Sequence, residues 1–315
     1  MVSPLAAPTH GRAIPPYLTS FNDKSMMAAW HDLNGGAGVK KISELFNVTG
    51  YGAVVTGGAS GIGLAMTEAF AANGARVTML DVDAKRVETE TQRLRAAELD
   101  VRGKVVDVTD HKTLDAAVDE AAREYGRLDI VCANAGVDSG AGFLDSWAGQ
   151  QRNRVTQGAL ENYANERWNR VIDINLNGVF ATCRAAARHM KPRKSGRIII
   201  TTSLAATNIE PAIGSAYMAA KAGAAHFMRC VALEMAAYNV TVNAIAPGFI
   251  ITNIGGGHAH NLELQKLVSK NIPMHRVGFP EDLEGLALFL ASPGSSYITG
   301  QEIIIDGGWK LGTAD

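Results

Sequence analysis

Cysteine is scarce in this chain. Cys132, Cys183 and Cys230 stand far apart, are odd in number and form no CxxC pair. That pattern offers no disulfide framework and predicts reduced, small apolar side chains. Long apolar runs are missing too, since no segment reaches the ~18 consecutive apolar residues of a membrane span. Residues Met1 to Pro16 mix prolines, a histidine and an arginine where a secretory signal would carry an apolar core. Neither sign of charge prevails: 30 basic and 31 acidic side chains leave a formal net charge of −1, and no field to gather nucleic acid or an anionic membrane. The expectation is a cytoplasmic protein whose partner is a small, neutral or mildly polar molecule, with no nucleic-acid or membrane partner.

What is present is a chain of 315 residues, 47% hydrophobic, enough for one substantial core or two small ones. Residues 1–46 read as an extension rich in Pro, Gly and small polar residues, with one apolar cluster, Met26, Met27 and Trp30, that either packs on the main domain or belongs to a disordered tail. From residue 47 to 315 the reading is a single domain. Short apolar runs alternate with amphipathic stretches: Ala53 to Thr56, Arg76 to Asp81, Val101 to Asp107, Leu128 to Cys132, Arg197 to Thr202, Val240 to Ile245 and Glu302 to Ile305. Alternation of this kind predicts βαβ units and a parallel sheet. Leu114, Ala117, Val118, Ala121, Ala122 and Tyr125 recur at helical spacing and Gly126 follows as a stop, so that segment is predicted as a helix with one buried stripe. Three consecutive isoleucines in Arg197 to Thr202 predict a strand buried on both faces, hence helices on both sides of the sheet. The fold class expected is α/β, a doubly wound sheet of the Rossmann type. Asp138 to Tyr163, rich in Gln, Asn, Arg and Gly, breaks the rhythm as an insertion before a helix at Glu166 to Ile172.

The first strand runs into Thr56-Gly57-Gly58-Ala59-Ser60-Gly61-Ile62-Gly63 and then a helix with Ile62, Met66, Ala69 and Phe70 on its apolar stripe. Glycines there let the backbone turn tightly and approach a pyrophosphate, whose charge meets the free N–H groups and positive end of the helix. About 20 residues on, Asp81 ends the second strand, where a dinucleotide fold places a carboxylate on the adenosine ribose. An acid there favours NAD, because a 2′-phosphate would meet a like charge and the glycine loop holds no Arg or Lys to offset it.

These residues carry a resemblance. The loop Thr56 to Gly63 resembles the TGxxxGxG loop of the short-chain dehydrogenase/reductase family. In the family's order follow Asn134-Ala135-Gly136, Asn175, Ser203, Tyr217-Met218-Ala219-Ala220-Lys221, Pro247-Gly248 and Asp306-Gly307-Gly308. The resemblance covers about Phe46 to Trp309. It implies a seven-stranded parallel sheet, a nicotinamide dinucleotide at the strand C-terminal edge, hydride transfer to or from a secondary alcohol or ketone, and a homotetramer or homodimer. Residue by residue it implies a catalytic tetrad of Asn175, Ser203, Tyr217 and Lys221. The dinucleotide would be held by Gly57, Ser60, Gly61, Ile62, Gly63 and Asp81, by Asp107 and Val108 at adenine, and by Asn134, Ala135 and Gly136. Tyr217, Lys221, Pro247, Gly248, Ile250 and Thr252 complete that set, Thr252 at the nicotinamide carboxamide. Ser203 precedes Tyr217 by fourteen positions, one more than the commonest spacing, which implies a longer loop through Asn208 to Gly214 and leaves Ser215 as a competitor.

The chemistry follows from the residue types. Tyr217 and Lys221 share a helix face one turn apart. A cation about 4 Å from a phenol contributes on the order of 4 kcal/mol at an effective dielectric of ~20, roughly three pK units before desolvation subtracts from it, so a phenolate near neutral pH is expected. Ser203 would donate to the developing alkoxide or carbonyl oxygen, and Asn175 would position a proton-relaying water. Taken singly, the Tyr and Lys are an ordinary helix-surface pair, Ser203 a strand end and Asn175 a helix cap. Three functional readings stay open: an NAD-dependent alcohol dehydrogenase, a carbonyl reductase using the same residues in reverse, and a non-catalytic NAD-binding sensor. His258 and His260 lack a third ligand at metal spacing, so no metal is expected; they sit in a segment after Pro247 that would close over substrate, hinged at Gly255 to Gly257, with Ile250, Ile251 and Ile254 at its mouth.

Overall fold

In a computed structural model that describes residues 40–145 and 153–313, the seven apolar runs become seven parallel strands in the order β3-β2-β1-β4-β5-β6-β7. They are β1 Gly52–Thr56, β2 Arg76–Asp81, β3 Val101–Val105, β4 Ile130–Ala133, β5 Gly196–Thr201, β6 Val240–Pro247 and β7 Glu302–Ile305. The helices between them are α1 Gly61–Ala72, α2 Ala84–Ala96, α3 His111–Tyr125, α4 Asn165–Ile172, α5 Gly178–Arg193, α6 Ser215–Ala236, α7 Leu262–Ser269 and α8 Glu284–Ala291. Residues 43–315 form one compact unit. Met26, Met27, Trp30 and the middle of the 138–163 segment lie outside the described residues. Among the described residues no helix is long and apolar enough to cross a membrane.

Strand side chains alternate between two cores, which is why the strands look continuously apolar. Val54, Leu80, Ile198 and Ile200 face one way, onto Leu114, Met190, Met228 and Met235 from α3, α5 and α6. Ala53, Val55, Met79 and Ile199 face the other, onto Met66, Phe70, Leu94 and Leu290 from α1, α2 and α8. All six apolar residues predicted for α3 are buried; Asp110 caps its start by accepting from Lys112 N and Thr113 N, and Gly126 ends it at φ +67°.

One strand is shorter than its apolar run. β3 leaves the sheet after Val105 because Asp107 turns its carboxylate onto Thr109 N (2.9 Å) and Thr109 Oγ1 (2.7 Å), a local turn that competes with the ladder. The 138–163 segment, in its described parts, is pinned. Ala141 bridges Ile213 and Leu144 bridges Arg154. The Arg167 guanidinium donates to the carbonyls of Ser139, Ala141 and Gln157. The long Ser203–Tyr217 loop therefore ends against this segment.

At the opposite end of the sheet, Asp129 is a buried carboxylate, its side chain 4% exposed. It accepts from Gly52 N (2.9 Å), Arg127 Nη2 (2.8 Å) and Arg193 Nη2 (3.2 Å). Burial alone would push its carboxyl up; the bonds from Arg127, Gly52 and Arg193 outweigh that and hold it below the usual carboxylate range. A depressed folded pKa adds stability that is present above the unfolded value of ~3.9 and is lost as pH falls through the folded one. Asp129→Asn should therefore cost about 2 kcal/mol at neutral pH, and the gap to wild type should close as both are acidified. Urea denaturation at a series of pH values reads this directly, and a gap independent of pH would refute it.

Candidate active site

The winding of the chain reverses between β1 and β4, so a crevice opens beyond their C-terminal ends. It is a continuous cleft of about 620 Å³, with the glycine turn and Asp81 among its lining residues together with Ser203, Tyr217 and the loop at Asn253 to Gly256.

The phosphate end is built from backbone. Gly57 and Gly61 adopt φ of +64° and +51°, the left-handed region that only glycine enters cheaply. Gly61 lies against Thr252, whose methyl would stand 3.1 Å from a Cβ there. Asp81 does more than end β2: Oδ2 accepts from Ala59 N (3.1 Å) and Oδ1 from Asp83 N (3.1 Å), so the carboxylate that faces the cleft also braces the glycine turn. Asn134 ties that turn to the sheet, donating to Thr56 O (3.1 Å) and Gly57 O (3.3 Å) while accepting from Thr201 Oγ1 (2.9 Å). Ser60, Ile62, Asp107, Val108, Ala135, Gly136, Pro247, Gly248, Ile250 and Thr252 all line the cleft. Gly63 does not; it packs behind the turn, where a Cβ would fall 2.0 Å from Gly57 O.

At the other end, α6 presents Tyr217 and, one turn later, Lys221. The Tyr217 hydroxyl is hydrogen-bonded to the Ser203 side chain. Lys221 is buried, its Nζ donating to Thr201 O (2.7 Å) and lying 5.6 Å from the Tyr217 ring centroid. Ser215, the competitor, is exposed at the start of α6 and is not among the lining residues. Asn175 sits in a wide π-type turn, Asp173–Asn177, between α4 and α5 and is fully buried. Its Nδ2 donates to Val137 O (2.9 Å) and Val171 O (3.1 Å), and its Oδ1 accepts from Val137 N (3.2 Å). Both N–H groups are thus used by backbone, and one lone pair on Oδ1 is left for a further donor. Gly136 lies between the two: a Cβ there would be 2.7 Å from Asn175 Oδ1 and 3.6 Å from Lys221 Nζ.

The electrostatics differ from the expectation of a phenolate at neutral pH. Burial raises the Tyr217 phenol above its ordinary value, the bond to Ser203 opposes this, and the nearby charge of Asp138 adds to it. Burial also pushes Lys221 down to about 8. Two groups taken out of water together each lose their charged form's hydration, and that penalty exceeds what the ammonium returns to the phenolate. Linear spacing shows the pair but not its burial.

Sequence reasoning passed over Asp138, Arg86 and Arg170, which line the same cleft. Asp138 had a signal, since it lies two residues beyond Asn134-Ala135-Gly136. The segment after Pro247 is anchored by Gly248 N to Ile305 O (2.8 Å) and Ile251 N to Gly278 O (2.9 Å). Gly255, Gly256 and Gly257 then follow with φ of +69°, +75° and +81°, and His260 Nε2 meets Asn253 Oδ1 at 3.2 Å.

The residues fit a nicotinamide dinucleotide: a glycine turn that side chains would fill, a helix N-terminus, and a carboxylate at the ribose position of the fold. Comparison with known proteins agrees. Residues 57–310 match the family profile described as Enoyl-(Acyl carrier protein) reductase. The chain is 35% identical over 257 residues to the 3-oxoacyl-[acyl-carrier-protein] reductase FabG of Chlamydia muridarum, covering 81% of this chain and 96% of that protein. It is also 35% identical to an NAD-dependent glycerol dehydrogenase of Listeria innocua, covering 86% and 98%. The crystal structure of a gluconate 5-dehydrogenase from Burkholderia cenocepacia in complex with NADP and tartrate superposes with a TM-score of 0.76 at 28% identity, covering 86% and 99%. On sequence order, fold and these matches together, the chain belongs to the short-chain dehydrogenase/reductase family.

Proposed function

We propose that this protein is an NAD-dependent oxidoreductase that interconverts a secondary alcohol and its ketone. The observation that carries the reading is the Tyr217–Ser203 hydrogen bond with Lys221 one turn behind, in the same cleft as the glycine turn. The dinucleotide supplies the hydride acceptor or donor when bound. Ser203 and Tyr217 converge on the oxygen of the reacting carbon, Ser203 as a donor to its developing charge and Tyr217 as the group that gives or takes its proton. Asn175 fixes Val137 and with it the cleft wall at Gly136. A raised Tyr217 is protonated at neutral pH and serves there as an acid, which favours ketone reduction; alcohol oxidation gains as pH rises. A non-catalytic sensor would have no use for this pair.

Asp81 supports NAD over NADP. Arg86 also lines the cleft, but its Nε is paired with Asp83 Oδ2 at 3.2 Å. Wild type is expected to favour NAD by roughly 100-fold in kcat/KM, and Asp81→Asn, which removes the charge but retains an acceptor for Ala59 N, should narrow that by about tenfold. Secondary polyols assayed with each dinucleotide at the absorbance of reduced nicotinamide provide the test. A wild type that prefers NADP would overturn the cofactor reading, and no turnover of any alcohol or ketone would overturn the function.

The same reading takes residues 47–315 as the catalytic domain, with 1–46 an extension, and a cytoplasmic location. A homotetramer is its oligomeric form, supported by the exposed apolar side chains of Phe180 on α5 and Leu233 on α6.

A further inference from the structure

Asp138 is a carboxylate held ready without a partner. It lines the cleft that contains Ser203 and Tyr217 and is partly buried. Both of its neighbours are fixed: Val137 by Asn175 on its N–H and its carbonyl, and Ser139 by Oγ donating to Gly214 O (3.0 Å) and by Arg167 on its carbonyl. The Asp138 carboxylate itself makes no hydrogen bond or ion pair among the described residues. Its Oδ2 stands against the loop after Pro247, 2.8 Å from where a Cβ on Gly255 would be, so it occupies the place where the two walls of the cleft meet. A carboxylate drawn partly out of water without a donor is costly, and positions that tolerate this are ones where a ligand supplies the donor.

We propose that Asp138 determines specificity at the substrate end of the cleft, accepting hydrogen bonds from the hydroxyls of a neutral polyol or hydroxyketone and repelling substrates that carry a carboxylate. This rests on the hydride-transfer reading above and names the substrate class for that site. An ionised carboxylate only accepts, so its partner must be a donor. A hydroxyl next to the reacting carbon provides one, whereas a second carboxylate adds a like charge in a confined space. Three charged groups act there: Lys221 from α6, Asp138 from the exit of β4, and Arg170 from α4. Arg170 is exposed and its charge is screened by solvent, while Asp138 stands close enough to Tyr217 to oppose its ionisation.

The test is binding, independent of turnover. Sorbitol and gluconate match in size and differ by one terminal carboxylate; each is titrated into the wild-type and Asp138→Asn proteins saturated with NADH, with nicotinamide fluorescence as the readout. Wild type should bind sorbitol at least about tenfold more tightly than gluconate, and Asp138→Asn should bring the two within about threefold while its affinity for NADH stays that of wild type. Gluconate bound as tightly as sorbitol by wild type, a ratio unchanged in the variant, or binding of neither would overturn the proposal. So would glucosamine binding more tightly than sorbitol, since the acceptor would then serve an ammonium. If the ratio collapses as expected while no alcohol or ketone is turned over, the catalytic reading fails and the role of Asp138 in recognition stands.

Discussion

Tyr217→Phe should bind NADH nearly as wild type does while kcat falls by a factor of about 10²–10⁴. The ring keeps its packing, since what is removed is one oxygen whose partner is the Ser203 hydroxyl. The helix start is held by Tyr217 N to Gly214 O (3.1 Å), and Lys221 by its bond to Thr201 O, neither of which involves the phenol. Ground-state binding is therefore preserved and the loss falls on proton transfer, which appears in kcat more than in KM. The pH dependence separates this from a packing defect. In wild type the proton donor is the neutral phenol, so reduction should decline, and oxidation increase, as pH climbs through the raised Tyr217 value. The slow residual rate of the variant should lack that limb. A steady-state pH series in both directions, alongside an NADH titration, provides the measurement; turnover within tenfold of wild type would remove Tyr217 from the mechanism.

Much of this molecule is legible from residue order, and the parts that are not have physical reasons. Interior strands of a parallel sheet are apolar on both faces, so runs such as Arg197 to Thr202 announce themselves, and β5 falls one residue from that reading. Val101 to Asp107 overran because apolarity continues through Val106, while the event that ends the strand is Asp107 bonding its own turn. Asp81 was placed by spacing from the glycines. Its second task, bracing Ala59, depends on two loops meeting and has no linear signature. Asn175 is likewise found by order, but the wide turn that aims it at Val137 shows only in the backbone. The protonation of Tyr217 and Lys221 was misjudged because sequence supplies the neighbouring charge without the depth of burial. Asp138 opens a stretch with no periodicity, and its character emerges only where it meets Gly255, more than a hundred residues away.

Gly63→Ala should weaken NADH binding by at least about 100-fold although Gly63 does not line the cleft. A Cβ at this position would lie 2.0 Å from Gly57 O and 2.5 Å from Asn134 Nδ2, distances no side chain tolerates. Neither neighbour can yield alone. Gly57 O is backbone, and Asn134 is bound to Thr56 O, Gly57 O and Thr201 Oγ1 at once. Relief must come from separating α1 from the turn, which costs about 1–3 kcal/mol of overpacking and carries the Gly57 to Ile62 backbone out of register with the helix end that would face the phosphates. Gly126→Ala distinguishes this from simple loss of stability: it too has a left-handed φ, +67°, but nothing lies within 4 Å of its Cβ position. That variant should lose about 1–2 kcal/mol of stability and keep its NADH affinity. Thermal denaturation paired with an NADH titration on both variants decides the matter, because equal affinities in the two would mean that the third glycine serves the fold and not the dinucleotide.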